Sequence, residues 1–215
     1  MSTIDPIAEF IQGQLNEIRV VSGEREYHRN ETIYHLDDPA DHIFYILSGS
    51  VKITRVSDDG KEKIISIHRA GEIFGELCFC EVDDRRSDQA VAMEPTRVLA
   101  IRVHDFLAML RENPKALLDM LSLFCKRLSE AQQQIETLAF DNTTRRLARV
   151  LLKSSSDSGL ERLRLTHEEL AQMVGTSREI ITTIMNQFRE EGLIDYRRSE
   201  VSPHVEKLRQ FLVTA

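Results

Sequence analysis

The sequence predicts an α+β protein in which an N-terminal β-roll (jelly roll) leads into a long helix and a C-terminal winged helix-turn-helix. Three observations predict this order. Short apolar segments separated by turns fill the first half of the chain, an apolar seam with heptad spacing follows, and a helix-turn-helix pattern lies near the end. We expect three parts, with boundaries at 1–112, 113–140 and 141–215.

The first part alternates between apolar segments and turn signals from about Arg19 to Val103. The apolar segments are Ile43–Leu47, Val51–Val56, Ile64–Ile67 and Arg97–Ile101. The turn signals between them are Ser48–Ser50, Asp58–Gly60 and Ala70–Gly71. Many short strands at this spacing predict a sandwich or jelly roll.

The middle part is helical, with a short helix at Asp105–Leu110 and a long helix that starts at Asn113–Pro114. Apolar residues on the long helix repeat every four and three residues, at Leu117, Leu121, Phe124, Leu128, Ala131, Ile135 and Leu138. This heptad seam predicts a partner helix and therefore a two-fold homodimer. The alternative is that the seam packs on the chain's own β domain. Phe140–Thr143 breaks the pattern and is an expected hinge.

The segment Leu165–Ile184 predicts two helices joined by a tight turn. Ala171 allows the helices to approach closely, Gly175 supplies the turn, and Ser177 can cap the second helix. The start of such a recognition helix reads base edges in double-stranded DNA. The expected DNA-contacting residues are Thr176, Ser177, Arg178, Glu179, Thr182 and Thr183. The alternative is an ordinary helical hairpin.

The rest of the C-terminal part contains further elements. We expect the C-terminal domain to start with Arg145–Lys153, followed by a flexible loop at Ser154–Gly159 and later a small wing at Tyr196–Val201. The net charge of the chain is −7, yet residues 139–215 hold 12 basic and 11 acidic side chains. The acidic excess therefore lies outside the helix-turn-helix, as in a DNA-binding module joined to an acidic domain.

A second constellation combines Gly71–Leu77 with Arg86 and Ser87. A turn with two glycines that opens a short helix offers backbone N–H groups to a phosphate, and Arg86 and Ser87 can add donors. Glu76 would repel a phosphate, but it can accept from a sugar hydroxyl. The alternative is a surface loop with a solvated arginine.

These residues resemble a known family. The β-roll, Phe74–Leu77, the Arg86–Ser87 pair ten residues beyond Glu76, the long helix and Gly175–Glu179 are together similar to the cyclic-AMP receptor protein / FNR (catabolite activator) family of bacterial transcription regulators. The resemblance implies that cyclic AMP, or cyclic GMP, gates DNA binding, and that bound protein recruits or obstructs RNA polymerase. The ligand-binding residues that it implies are Gly75, Glu76, Leu77, Arg86, Ser87, Arg127, Ala131 and Gln132.

Three positions depart from the family pattern. Ala131–Gln132 stands where nucleotide-responsive members have a Thr-Ser pair that contacts the adenine, so the choice of base is open. Asp88 follows Arg86–Ser87 where a small apolar residue is common; it opposes a phosphate if it points inward and is harmless if it points outward. Thr183 replaces a basic residue of the best-known member, so the palindromic operator shares only part of the usual half-site.

Other classes of function fit the sequence less well. Three cysteines, Cys78, Cys80 and Cys125, are too few for a cluster that needs four thiolates, and no metal is expected, although a redox role, or haem at His68 and His104, stays an alternative. A second alternative is a DNA-binding regulator that needs no ligand, and a third is a ligand-binding or interaction module that does not bind DNA. No catalytic set stands out, so we expect no enzyme. Without a long apolar run or a leader pattern, we expect a cytoplasmic protein without membrane contact.

Overall fold

The fold is described from a computed structural model of the chain. The structure describes residues 6–14, 23–57, 60, 62–79, 85–158, 162–197 and 200–214. They belong to two compact units, one within residues 4–129 and the other within residues 130–215. The predicted boundaries at 112 and 140 stay a prediction.

The first unit contains α1 (Pro6–Gly13), β1 (Gly23–Tyr27), β2 (Thr32–Tyr34), β3 (His42–Ser48), β4 (Ser50–Val56), β5 (Glu62–Arg69), β6 (Ile73–Phe74), a 3₁₀ turn (Glu76–Phe79), β7 (Gln89–Ala92), β8 (Thr96–Arg102), α2 (Val103–Glu112) and most of α3 (Pro114–Phe140). The second unit contains the end of α3, then α4 (Thr143–Ser158), β9 (Leu163–Arg164), α5 (His167–Val174), α6 (Arg178–Glu190), β10 (Ile194–Arg197), β11 (Glu200–Pro203) and α7 (Val205–Thr214).

The described strands β1–β8 pair into two antiparallel sheets, in the orders β1-β8-β3-β6 and β2-β7-β4-β5. Because side chains alternate along each strand, one face of each sheet contributes to a shared apolar core. Phe44 and Phe74 lie opposite each other in that core, with ring centroids 5.0 Å apart. This arrangement confirms the predicted β-roll.

Helices cover a second core on the other side of the first sheet. Ile7 of α1 and Phe106 of α2 are buried there with Tyr45 and Leu99 of the sheet. The structure therefore adds α1, which the sequence analysis did not predict. The expected short helix at Asp105–Leu110 is part of the longer α2.

Helix α3 has two apolar faces that play different roles. Ala116, Met120 and Leu123 are buried against the β-roll, and Phe124 of the seam also packs there in part. The other large apolar residues of the predicted seam are exposed in the single chain, namely Leu117, Leu121, Leu128, Ile135 and Leu138. The alternative, that the seam packs on the chain's own β domain, is therefore wrong for Leu117, Leu121 and Leu128, which belong to the same unit as that domain.

The second unit packs α4–α7 and a small sheet of order β10-β11-β9 around one core. The core includes Leu147 of α4, Leu170 of α5, Ile181 of α6 and Val201 of the wing. The predicted helix-turn-helix and wing are thus confirmed, although residues 198 and 199 of the wing lie outside the described residues. Helix α7 was not predicted, and Leu208 attaches it to the core.

The predicted flexible loop at Ser154–Gly159 is wrong, because α4 continues to Ser158. Ser154 is buried. Burial of Ser154 favours the helix where this serine-rich run begins, although serine has only moderate helix propensity. Gly159 lies outside the described residues, as do Asp58 and Asp59 of one predicted turn.

Candidate effector pocket and DNA interface

The glycine turn that precedes the 3₁₀ turn lies against Arg86. Gly75 has a left-handed φ of +75°, and a Cβ at this position would lie 3.0 Å from Arg86 Nη1 and 3.2 Å from Phe44. Glycine is therefore favoured by the backbone conformation, and an added Cβ would also force these two side chains to shift. The predicted short helix after the turn is one 3₁₀ turn of four residues.

Arg86 points into the β-roll and is only 3% exposed. Its Nη1 donates to the carbonyl of Gly75 at 2.8 Å, its Nη2 donates to the carbonyl of His42, and its guanidinium carbon lies 4.3 Å from the ring centre of Tyr34. Its Nε is buried and has no hydrogen-bond partner among the described residues. A buried donor without an acceptor is costly, so this N–H fits a ligand oxygen.

The side chains from Arg86 to Asp88 alternate between the interior and the surface of the β-roll. Ser87 is exposed and its hydroxyl accepts from Arg55 at 3.2 Å, whereas Asp88 is buried and accepts from the hydroxyl of Tyr34 at 2.9 Å. Burial, followed by the charge of Asp88, raises the pKa of the Tyr34 phenol. The question left open by the sequence is thus answered, since Asp88 points inward.

Glu76 and Arg127 join the pocket to the long helix. The Glu76 carboxylate is buried and forms an ion pair with Arg127 Nη1, while Arg127 Nη2 donates to the carbonyl of Ile73 at 2.6 Å. Burial opposes ionisation, but the charge and hydrogen bond of Arg127 outweigh it and lower the pKa of Glu76. The structure therefore brings these two predicted ligand residues into direct contact.

The other predicted ligand residues are exposed. Leu77 lies on the 3₁₀ turn, and Ala131 and Gln132 lie on α3 in the second compact unit. Their assignment to the ligand stays a prediction.

Helix α6 presents a polar N-terminus. Thr176 in the turn is partly buried and its backbone N–H donates to the carbonyl of Ala171 at 3.1 Å, while Ser177 is exposed and its side chain accepts from the N–H of Ile180. Arg178 and Glu179 follow and are exposed. Hydrogen bonds from its own N–H and from Ser177 lower the pKa of Glu179, which keeps it an acceptor. The structure thus brings the predicted reading residues to one capped helix end.

The hydroxyl groups of the two threonines on α6 are turned back onto the helix. Thr182 donates to the carbonyl of Arg178 at 2.9 Å, and Thr183 donates to that of Glu179 at 3.1 Å. Thr182 is half-buried, and its hydroxyl also lies 2.9 Å from Nδ1 of His167. Thr183 is exposed.

His167, which no sequence pattern singled out, lies at the start of α5 and next to the predicted interface. Its ring stacks on Tyr196 of the wing at 5.0 Å between centroids. Partial burial and the positive charge of Arg178 lower the pKa of His167, so it is neutral near pH 7. Only the fold brings α5, α6 and the wing together, so the sequence held no signal for this cluster.

Comparison with known proteins identifies both regions. A family model for the cyclic nucleotide-binding domain matches residues 24–113, and one for the Crp-like helix-turn-helix domain matches residues 145–211. The cyclic AMP receptor protein of Thermus thermophilus is 31% identical over 170 residues, which are 79% of this chain and 78% of that protein. The chain belongs to the CRP/FNR family of transcription regulators.

Two further proteins are similar to this CRP/FNR-family regulator over most of its length. The global nitrogen regulator of Nostoc sp. is 30% identical over 197 residues, 86% of this chain and 87% of that one. The solved structure of the c-di-GMP responsive global regulator CLP of Xanthomonas campestris has a TM-score of 0.81 and 25% sequence identity, and covers 89% of this chain and 98% of that one. One of these names refers to nitrogen regulation and the other to c-di-GMP, so the two names do not indicate one common signal.

The residues considered for redox or haem chemistry are scattered in this CRP/FNR-family regulator. Cys78 is buried, Cys125 is exposed, and Cys80 lies outside the described residues. His68 is buried beside Ser66 and Glu72, whereas His104 is exposed. In the described part of the chain, no group of three or more His, Cys, Asp or Glu side chains could hold a metal ion. Nor does any described helix have the length and hydropathy to cross a membrane.

Proposed function

We propose that this CRP/FNR-family chain is a homodimeric, sequence-specific DNA-binding regulator whose operator affinity is controlled by a cyclic nucleotide in the β-roll, cyclic AMP in the first instance. The observation that carries the proposal is Arg86, a buried arginine beside Gly75 whose Nε–H lacks an acceptor among the described residues. The cytoplasm is its expected location, and RNA polymerase is the partner that the bound dimer would recruit or obstruct.

The phosphate and ribose of the effector would be held by groups of the first unit. Arg86 would donate to the cyclic phosphate, and Gly75 and Glu76 would bind the ribose, with Arg127 holding Glu76 in place. Ala131 and Gln132 are the candidates for the base, since Gln132 can both donate and accept. Cyclic GMP is the competing ligand because these two residues do not fix the base.

A dimer accounts for the exposed seam on α3. Leu128 is 62% exposed in the single chain, and four other large apolar residues of the seam are exposed with it. Two copies that join through this stripe would bury it and present two recognition helices to one palindrome, with half-sites about 34–36 Å apart. The ligand would favour DNA binding by stabilising one conformation of the hinge at 140–143. A ligand changes the equilibrium between two conformations only if it binds one of them more tightly than the other.

The proposed dimer interface is tested by two substitutions, one at an exposed aliphatic residue of the seam and one at an exposed aliphatic residue elsewhere in the chain. We expect Leu128→Asp to give a monomer in sedimentation equilibrium, whereas Val213→Asp, at an 86% exposed position on α7, should leave the dimer intact. A dimer that survives Leu128→Asp would contradict the interface.

On DNA, Arg178 would pair with a guanine edge and Glu179 would accept from a cytosine amino group. Thr176, Ser177, Thr182 and Thr183 would complete the interface. Selection from a random duplex pool gives the operator, and Arg178→Ala should then cost about 1–3 kcal/mol and relax the preference at one base pair. Arg209→Ala on α7 removes the same charge elsewhere in the second unit and should leave the preference unchanged.

The effector is tested by calorimetric titration of the dimer with cyclic AMP and cyclic GMP, followed by operator binding with and without the tighter ligand. We expect micromolar or tighter binding that Arg86→Ala abolishes, whereas Arg97→Ala, at an exposed arginine of β8 in the same unit, should leave it unchanged. Unchanged binding by a folded Arg86→Ala variant would remove Arg86 from the site.

The inward carboxylate of Asp88 favours a second candidate, a regulator that binds its operator without a cyclic nucleotide. Asp88 lies two residues from Arg86 and both are buried in the β-roll, so its charge opposes a phosphate bound there. Under this candidate, wild-type protein binds the operator alone and ignores both nucleotides. Asp88→Ala then separates two explanations. If the charge of Asp88 alone blocks the pocket, the variant gains nucleotide binding. If the pocket serves another class of effector, the variant still binds neither nucleotide.

A further inference from the structure

The hydroxyl hydrogen of Thr183 on α6 is bonded within the helix, which leaves the methyl group as the apolar part of this exposed side chain. Its hydroxyl donates to the carbonyl of Glu179 at 3.1 Å, one turn earlier on the same helix. Threonines in helices make this bond to the preceding turn, which occupies the hydroxyl hydrogen. Since Thr183 is exposed, a neighbour can contact its methyl group, while the hydroxyl oxygen can now only accept a hydrogen bond.

A second apolar side chain lies on the same side of the helix. Ile180 is 47% exposed and precedes Thr183 by three residues, a spacing that makes two side chains neighbours on a helix surface. Arg178 and Glu179 are charged and exposed just before it. The reading face therefore combines a charged start with a small apolar patch formed by Ile180 and Thr183.

We propose that Thr183, supported by Ile180, recognises the 5-methyl group of a thymine in the major groove. That methyl is the one apolar feature that a base pair shows in the groove, and a threonine methyl is a suitable partner for it. The inference rests on the proposed function, because it requires α6 to enter the major groove. It specifies one base of the half-site, a thymine next to the base pairs read by Arg178 and Glu179.

The test removes single methyl groups from both sides of the contact. The operator is first selected from a random duplex pool, and each thymine of one half-site is then replaced by deoxyuridine, which lacks only the 5-methyl group. We expect one replacement to weaken binding about threefold to fourfold, the effect of one buried methyl group, as measured by fluorescence anisotropy.

Two variants of Thr183 separate its methyl from its hydroxyl. Thr183→Val keeps a methyl in place and should retain the preference for thymine over deoxyuridine. Thr183→Ser keeps the hydroxyl and should bind both operators equally. The reverse pattern, with the preference lost in Thr183→Val and kept in Thr183→Ser, would overturn the proposal, as would a wild-type protein that ignores deoxyuridine at every position.

Failure of the inference can be told from failure of the proposed function. If α6 does not read DNA, wild-type protein selects no operator, or Arg178→Ala leaves the selected sequence unchanged, and the thymine contact falls with it. If α6 reads DNA but Thr183 does not read thymine, Arg178→Ala still alters one base preference while the deoxyuridine series is flat.

Discussion

The effector pocket and the helix-turn-helix hold their polar side chains in different ways. In the pocket, Arg86 donates to the carbonyl of His42, 44 residues away, and Tyr34 donates to Asp88, 54 residues away. In the helix-turn-helix, Thr183 donates to the carbonyl of Glu179, only four residues earlier. The pocket is therefore assembled by the fold, whereas the reading helix is shaped mostly by its own sequence.

This difference predicts how much each region loses when one group is removed. Arg86 serves two carbonyl acceptors that lie far apart in the sequence, so its removal leaves both without this donor. A helix cap serves one N–H at the end of one helix, where water can replace it in part. We therefore expect large effects in the pocket and small ones in the helix-turn-helix.

The largest effect is expected for Arg86→Ala. The change leaves the carbonyls of His42 and Gly75 without this buried donor and removes the cation over the Tyr34 ring. We expect the first unit to lose about 3 kcal/mol of unfolding free energy, measured by urea titration. Arg55→Ala removes an exposed arginine of β4 in the same unit and should cost less than about 0.5 kcal/mol. Equal losses of unfolding free energy from Arg86→Ala and Arg55→Ala would contradict the expectation that removal of a buried pocket donor has a large effect.

Glu76→Gln tests the ion pair that joins the pocket to α3. Because the change leaves Arg127 without its buried counter-charge, we expect a loss of about 2 kcal/mol near pH 7. Arg127 holds the pKa of Glu76 below its ordinary value of about 4.3. The stability from ionised Glu76 is therefore complete above about pH 4.3 and is lost as the pH falls through the lowered pKa.

The gap between wild type and Glu76→Gln should accordingly narrow in acid, as measured by urea titrations from about pH 7 to pH 3. Glu26→Gln, at an exposed position on β1, is the control and should cost little. A gap that stays constant down to the lowest pH would show that the carboxylate's charge does not stabilise the fold.

The same contrast explains what could be predicted from the sequence. The turn at Gly175 and the cap at Ser177 depend on neighbours within a few residues, so the pattern of the chain indicated both correctly. The inward direction of Asp88 could not be predicted, because it depends on the pairing of β7 with β2 and on Tyr34. The helical conformation of Ser154 was also missed, since its burial comes from the fold of the second unit.

Gly175→Ala tests the turn, where the effect should be intermediate. Gly175 has a left-handed φ of +77°, which costs a residue with a Cβ about 1–2 kcal/mol. Gly23→Ala in β1 is the control, since no heavy atom lies within 4 Å of the added Cβ and its φ is not positive. Urea titration should show the loss in the second unit for Gly175→Ala alone, and equal losses would mean that backbone conformation at the turn is unimportant.

The smallest effects are expected at the helix caps, and they should differ between α5 and α6. Thr166 forms a capping box with Glu169, in which each side chain accepts from the other residue's backbone N–H, whereas Ser177 makes one long bond of 3.5 Å to Ile180. We expect Thr166→Ala to cost about 1 kcal/mol of unfolding free energy and Ser177→Ala about 0.5 kcal/mol. Thr166→Ser keeps the capping oxygen and should recover most of the loss. A larger loss from Ser177→Ala would show that the N-terminus of α6 depends on its cap more than the hydrogen-bond lengths indicate.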